Sequence, residues 1–77
     1  MAQVILPELG EGVKKAVVAC WHFNEGDVVS KDDDLVELVT DKATFNVPSP
    51  EAGILSNIKY KEREEADIGV VLADIVV

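Results

Sequence analysis

Leu35-Val36-Glu37-Leu38-Val39-Thr40-Asp41-Lys42-Ala43-Thr44-Phe45-Asn46-Val47-Pro48 reads as two strands meeting at a two-residue turn, Asp41-Lys42. Opposed residues in a hairpin share a face, so this turn sets Thr40 against Ala43, Leu38 against Phe45 and Val36 against Val47. Glu37 and Asn46 then oppose each other on the other face, with Val39 and Thr44 beside them. A slip of one residue would turn Phe45 to water, so the apolar pattern itself fixes the turn. The turn's chemistry is unusual. Tight hairpins favour Asn-Gly or Asp-Gly because their commonest turn needs positive φ at both central residues, and lysine gains nothing there. A residue that breaks a local rule at a hairpin tip invites a role for its side chain.

Working outward, Pro48-Ser49-Pro50 ends the second strand stiffly, and Gly53 opens another over Ile54 to Ile58. Upstream, Ser30 to Asp34 is a polar connection. Its three adjacent aspartates suit a solvated loop, since calcium loops need alternating acids and a distal glutamate. Asn24-Glu25-Gly26-Asp27 is a turn with Gly26 at the positive-φ position, and Val28-Val29 adds a very short strand. Lys14 to Phe23 is a long apolar run expected to form a bent strand buried over much of its length, with Trp21 in the core. Cys20 and His22 are two ligand types without a second pair, which makes no metal site. Val4-Ile5-Leu6 is a first strand stopped by Pro7, and Glu8 to Gly12 is a loop with no phosphate-binding lysine spacing. Lys59 to Asp67 is charged, lacks an apolar stripe, and reads as a turn with a short strand; Val70 to Val77 is the last strand.

A shift of 37 residues aligns Phe23 with Tyr60, Glu25 with Glu62, Asp27 with Glu64, Leu35 with Leu72, Glu37 with Asp74, Leu38 with Ile75 and Val39 with Val76. Two similar halves of about four strands imply an all-β fold: two antiparallel sheets related by a pseudo-twofold and packed over one core. Thr40 corresponds to Val77, so the twofold puts the open chain ends where the other half has the Asp41-Lys42 turn. Lys42 is expected at the pole opposite the termini. Arg63 stands at the position matching Gly26, so the second turn is expected to differ in type or to be looser.

The 77 residues allow one domain, residues 1–77, with 48% hydrophobic residues to build a core worth only about 3–5 kcal/mol at this length. A formal charge of −8 argues against nucleic acid and anionic membrane surfaces and for basic protein partners. One cysteine excludes an internal disulfide and fits a reducing compartment. No apolar run approaches the roughly 20 residues that span a bilayer, and the first residues lack a signal-peptide layout. No nucleophile-base pair can be drawn from the single histidine and the scattered serines, so the chain reads as non-catalytic.

Thr40-Asp41-Lys42-Ala43, followed by Val47-Pro48-Ser49-Pro50 and Ala52-Gly53, resembles the lipoyl domain of 2-oxo acid dehydrogenase acyltransferases. The match extends through Leu6-Pro7-Glu8-Leu9-Gly10-Glu11-Gly12, Trp21 and Glu25-Gly26-Asp27-Val28 and so covers nearly the whole chain. The resemblance implies a flattened barrel or barrel-sandwich hybrid. It also implies lipoic acid in amide linkage to Lys42, with Asp41 and Ala43 as the flanking turn read by a lipoate-attaching ligase. Glu8, Leu9 and Glu11, in the loop between the first two strands, become candidate contacts for the cognate dehydrogenase. The implied partners are a thiamin-dependent 2-oxo acid dehydrogenase, an acyltransferase catalytic domain and dihydrolipoyl dehydrogenase, with the isolated domain monomeric. The bacterial cytoplasm, or the mitochondrial matrix for a processed eukaryotic domain, is the implied location. The loop and the Asp-Lys-Ala turn look more like pyruvate or branched-chain complexes than 2-oxoglutarate ones. A biotin carrier shares the fold but usually flanks its lysine with methionines; an unmodified β interaction domain is the other alternative.

Overall fold

The computed structural model describes residues 2–77 and contains eight strands: β1 Ala2–Ile5, β2 Lys15–Trp21, β3 Val28–Val29, β4 Asp34–Val39, β5 Thr44–Pro48, β6 Gly53–Ser56, β7 Glu65–Asp67 and β8 Val71–Val76. They form two four-stranded sheets of order β1-β8-β6-β3 and β5-β4-β2-β7, with every recorded pairing antiparallel. Most strands hide alternate residues, β4 and β8 each burying one adjacent pair as well, Leu35-Val36 and Leu72-Ala73, and the hidden side chains of both sheets meet in one cluster, as a sandwich requires.

The 37-residue repeat is the symmetry of the fold. It carries β4 onto β8, β2 onto β6 and β3 onto β7, while β5 takes the place of β1, so the two strand orders are the same list seen from either half. The core is built of matched pairs: Val18 with Leu55, Leu35 with Leu72, Val36 with Ala73, and Leu38 with Ile75, all fully buried. Hydrogen bonds repeat as well. Gly26 N donates to Leu55 O at 2.7 Å and Arg63 N to Val18 O at 2.7 Å; Asp27 N reaches Asn24 O and Glu64 N reaches Lys61 O. Side chains copy the device, Asp27 accepting from Asn24 N at 2.8 Å and Glu64 from Lys61 N at 2.6 Å. Where one half buries Leu6 the other buries Ser49, whose hydroxyl is satisfied by the Glu51 carbonyl at 2.6 Å.

Arg63 therefore does not loosen its turn. It adopts φ 73°, the left-handed conformation of its mate Gly26 at φ 93°, and keeps the same bonds. A side chain in that region is strained, whereas glycine is not. Arg63→Gly is expected to stabilise the domain by about 0.5–1 kcal/mol, after allowing for glycine's freer unfolded chain. Thermal unfolding checks this: a rise of roughly 2–8 °C is expected for a domain of this size, and a lower melting temperature would contradict it.

Other boundaries differ from the sequence expectation. The first strand runs Ala2–Ile5, ending one residue before Leu6 because Leu6 leaves the ladder to bond Val70 O at 2.9 Å. The second strand is shorter, Lys15–Trp21, and is buried on one face only: Ala16 and Val18 are hidden while Val17 is exposed. Its bend is an irregularity between Val18 and Cys20. Trp21 is half-buried against the core, its indole N–H held by Tyr60 O at 2.8 Å. The strand at Gly53 stops at Ser56, where Asn57 turns the chain at φ 51°. The last strand is Val71–Val76, and β7 lies within the charged segment, as its polarity required.

Candidate functional site

The β4–β5 register is the one the apolar pattern demands: Val36 opposite Val47, Glu37 opposite Asn46, Leu38 opposite Phe45 and Val39 opposite Thr44. Beyond the last pair, Thr40 N donates to Ala43 O at 2.9 Å and leaves Asp41 and Lys42 as the tip. Neither tip residue has positive φ, so the turn is not one of the primed hairpin types.

Thr40 makes this possible. Its Oγ1 accepts from Lys42 N and Ala43 N, both at 3.2 Å, and donates to Ala43 O at 3.1 Å. One hydroxyl thus uses its donor and both acceptor sites to hold the tip closed. Side-chain closure of this kind is what threonine supplies in turns. Its signal was present in the sequence as a threonine immediately before Asp41, and pattern reading passed over it. Thr40→Val is expected to cost about 0.5–1.5 kcal/mol. Hydrogen exchange tests it: the Lys42 and Ala43 amides should exchange faster while the Leu38 amide stays protected, and unchanged protection at the tip would refute the role.

Asp41, Lys42 and Ala43 are all exposed. The Lys42 ammonium donates to the Glu11 carbonyl at 3.2 Å. The single ion pair among the described residues joins Lys15 to Glu65 at 3.2 Å, so no carboxylate holds the Lys42 amine. The β1–β2 loop comes this close because Gly12, at φ 81°, brings backbone within reach; a Cβ there would sit 3.6 Å from the amine.

Of the three loop residues singled out, Glu11 meets Lys42, and it does so through its backbone rather than its carboxylate. Leu9 is half-buried against the core and props the loop, while Glu8 is exposed. His22 and Cys20 lie elsewhere. His22 Nε2 is 3.0 Å from Asn46 Oδ1 and Cys20 is half-buried and free; among the described residues no group of three acidic, histidine or cysteine side chains could hold a metal.

Beside the tip runs an open groove of about 380 Å³, with Val13, Ala16, Val17 and Val39 along it and Lys42 at its edge. Ala2 and Ile75, near the two ends of the described chain, lie away from it. At the C-terminal end of β1, Leu6 exchanges hydrogen bonds with Val70 and Gly69, and Ile68 N bonds Lys14 O beside the groove. From there β1 leads back to Ala2, which pairs with Ile75 at the other end of the strand.

A lysine amine that is exposed, unpaired with any acid and fixed on a closed hairpin is suited to being acylated by another protein. The family model described as "Biotin-requiring enzyme" (Biotin_lipoyl) matches residues 2–75. The chain is 42% identical over 72 residues to the dihydrolipoyllysine-residue acetyltransferase component of the pyruvate dehydrogenase complex of Corynebacterium glutamicum, covering 94% of this chain and 11% of that protein. It is 41% identical over 73 residues to the succinyltransferase component of the 2-oxoglutarate dehydrogenase complex of Bartonella vinsonii, covering 95% of this chain and 18% of that protein. The chain therefore spans under a fifth of the length of these relatives. Among solved structures, the lipoyl domain of the 2-oxoglutarate dehydrogenase complex of Azotobacter vinelandii superposes with a TM-score of 0.80 at 25% identity, over 100% of this chain and 98% of that one.

Proposed function

The chain belongs to the biotin- and lipoyl-attachment family as a lipoyl domain of the 2-oxo acid dehydrogenase acyltransferase type, and from that premise we propose that Lys42 carries lipoic acid. The observation that carries this reading is the Lys42 amine itself: exposed, held only by a backbone carbonyl, on a tip closed by Thr40. An amide on Nζ keeps one N–H, so the Glu11 carbonyl can still accept from it. Loading removes one positive charge from a chain of formal charge −8.

When attached, the lipoyl group supplies a strained disulfide that takes up an acyl group with two electrons and gives both up again. This chain's residues present it. Asp41 and Ala43 flank the amine as the surface that a lipoate-attaching ligase reads, and Glu8, Leu9 and Glu11 supply the neighbouring loop for a dehydrogenase. Catalysis belongs to other domains: a thiamin-dependent 2-oxo acid dehydrogenase, an acyltransferase and a dihydrolipoyl dehydrogenase. A fixed tip restricts where the arm can point, and tethering raises its effective concentration at each active site.

Pro7 to Gly12 together with Asp41-Lys42-Ala43 favour a pyruvate or branched-chain complex. The test has two parts. Coexpression with a lipoate ligase is expected to add one lipoyl increment to the intact mass, whereas coexpression with a biotin ligase is expected to add none; the reverse would make this a biotin carrier. The loaded chain is then expected to be reductively acylated fastest by a pyruvate or branched-chain dehydrogenase, and a preference for the 2-oxoglutarate enzyme would overturn the choice of complex alone.

A further inference from the structure

The groove beside Lys42 contains an exposed apolar pair that the fold does not need. Val17 and Val39 face each other directly in the β2–β4 register, point away from the core, and are 38% and 40% exposed. With Val13 they form an apolar strip in a groove otherwise edged by Lys14, Lys15, Thr40, Asp41, Lys42 and Glu65, on a strongly acidic domain. Lys42 lines the same groove, so a group attached to its Nζ starts at the groove's edge. The volume, about 380 Å³, lies at the small end of the range for ligand pockets, roughly 300–1,000 Å³.

Resting on the lipoyl reading above, we infer that this groove is a docking place for the lipoyl arm, whose aliphatic chain and dithiolane ring lie across Val17 and Val39 between visits to partner enzymes. The chemistry matches on both sides. The arm is an apolar chain ending in an apolar ring, and the two valines are apolar surface left in water, so each removes the other from solvent. The Glu11 carbonyl favours this geometry because it can keep the one N–H left on the amide and so hold the arm's root beside the groove. On the far side of the groove, Lys15 and Glu65 pair at 3.2 Å and form a charged margin beyond the apolar strip.

Methyl-labelled NMR of the lipoylated chain tests this, with loading verified first by intact mass. Cross-peaks from the arm's methylene protons to the Val17 and Val39 methyls are expected, together with shift changes at Val13. They should be lost in loaded Val39→Asp and in loaded Val17→Ser, both at outward-facing positions, while amide spectra show each variant folded. If the loaded wild-type chain gives no such cross-peaks, or if both variants keep them, the docking place is wrong although the carrier reading stands. Absence of any mass increment removes the carrier reading, and this inference with it.

Discussion

Lys42→Arg is expected to abolish lipoyl loading and to leave the fold as it is. The guanidinium keeps the positive charge and can still donate to the Glu11 carbonyl, so the tip loses little. It stays protonated and cannot supply the free nitrogen that an activated carboxyl must meet. The position is exposed and buries nothing in the core, so the change in stability should lie within about 0.5 kcal/mol. Intact mass after ligase treatment and a melting curve read the two halves of this expectation separately. An arginine variant that fails to load because it is unfolded would not bear on Lys42, and the melting curve exposes that case.

Gly53→Ala is expected to be the most destabilising small change in the chain. A Cβ at Gly53 would stand 2.5 Å from the Val76 carbonyl oxygen and 2.7 Å from Ile75 Cγ2. Backbone cannot yield as a side-chain end can, so β6 must move off β8. Overpacking of this kind costs about 1–3 kcal/mol, much of what a core this size supplies, and the melting temperature should fall by roughly 4–24 °C. The repeat puts Ala16, a buried residue that does carry a Cβ, at the position matching Gly53, so the two halves differ here. Adding Ile75→Leu should recover only part of the loss because the Val76 carbonyl remains. A Gly53→Ala chain that melts with the wild type would mean β6 and β8 are less closely paired than described.

The hairpin was legible because Leu38, Phe45, Val36 and Val47 are apolar at a spacing that only one register satisfies. The repeat was legible for a related reason: both halves meet the same core, so Leu35 and Leu72 or Leu38 and Ile75 are constrained alike. What stayed hidden depended on single contacts across the chain. A threonine before the tip allows the closure its hydroxyl makes without requiring it, and nothing in the pattern tells that the Glu11 backbone rather than its carboxylate meets the lysine. Arg63 shows the opposite limit. Its side chain argued against the left-handed turn, yet the bonds from Arg63 N to Val18 and from Lys61 N to Glu64 hold it there.

Lys14 and Lys15 line the same groove as Lys42, so the proposal makes a choice among three neighbouring amines. Peptide-level mass spectrometry of the ligase-treated chain tests that choice most directly. The lipoyl increment is expected on the peptide carrying Lys42 alone. An increment on Lys14 or Lys15, or one that survives Lys42→Arg, would show that the hairpin tip is not the attachment point.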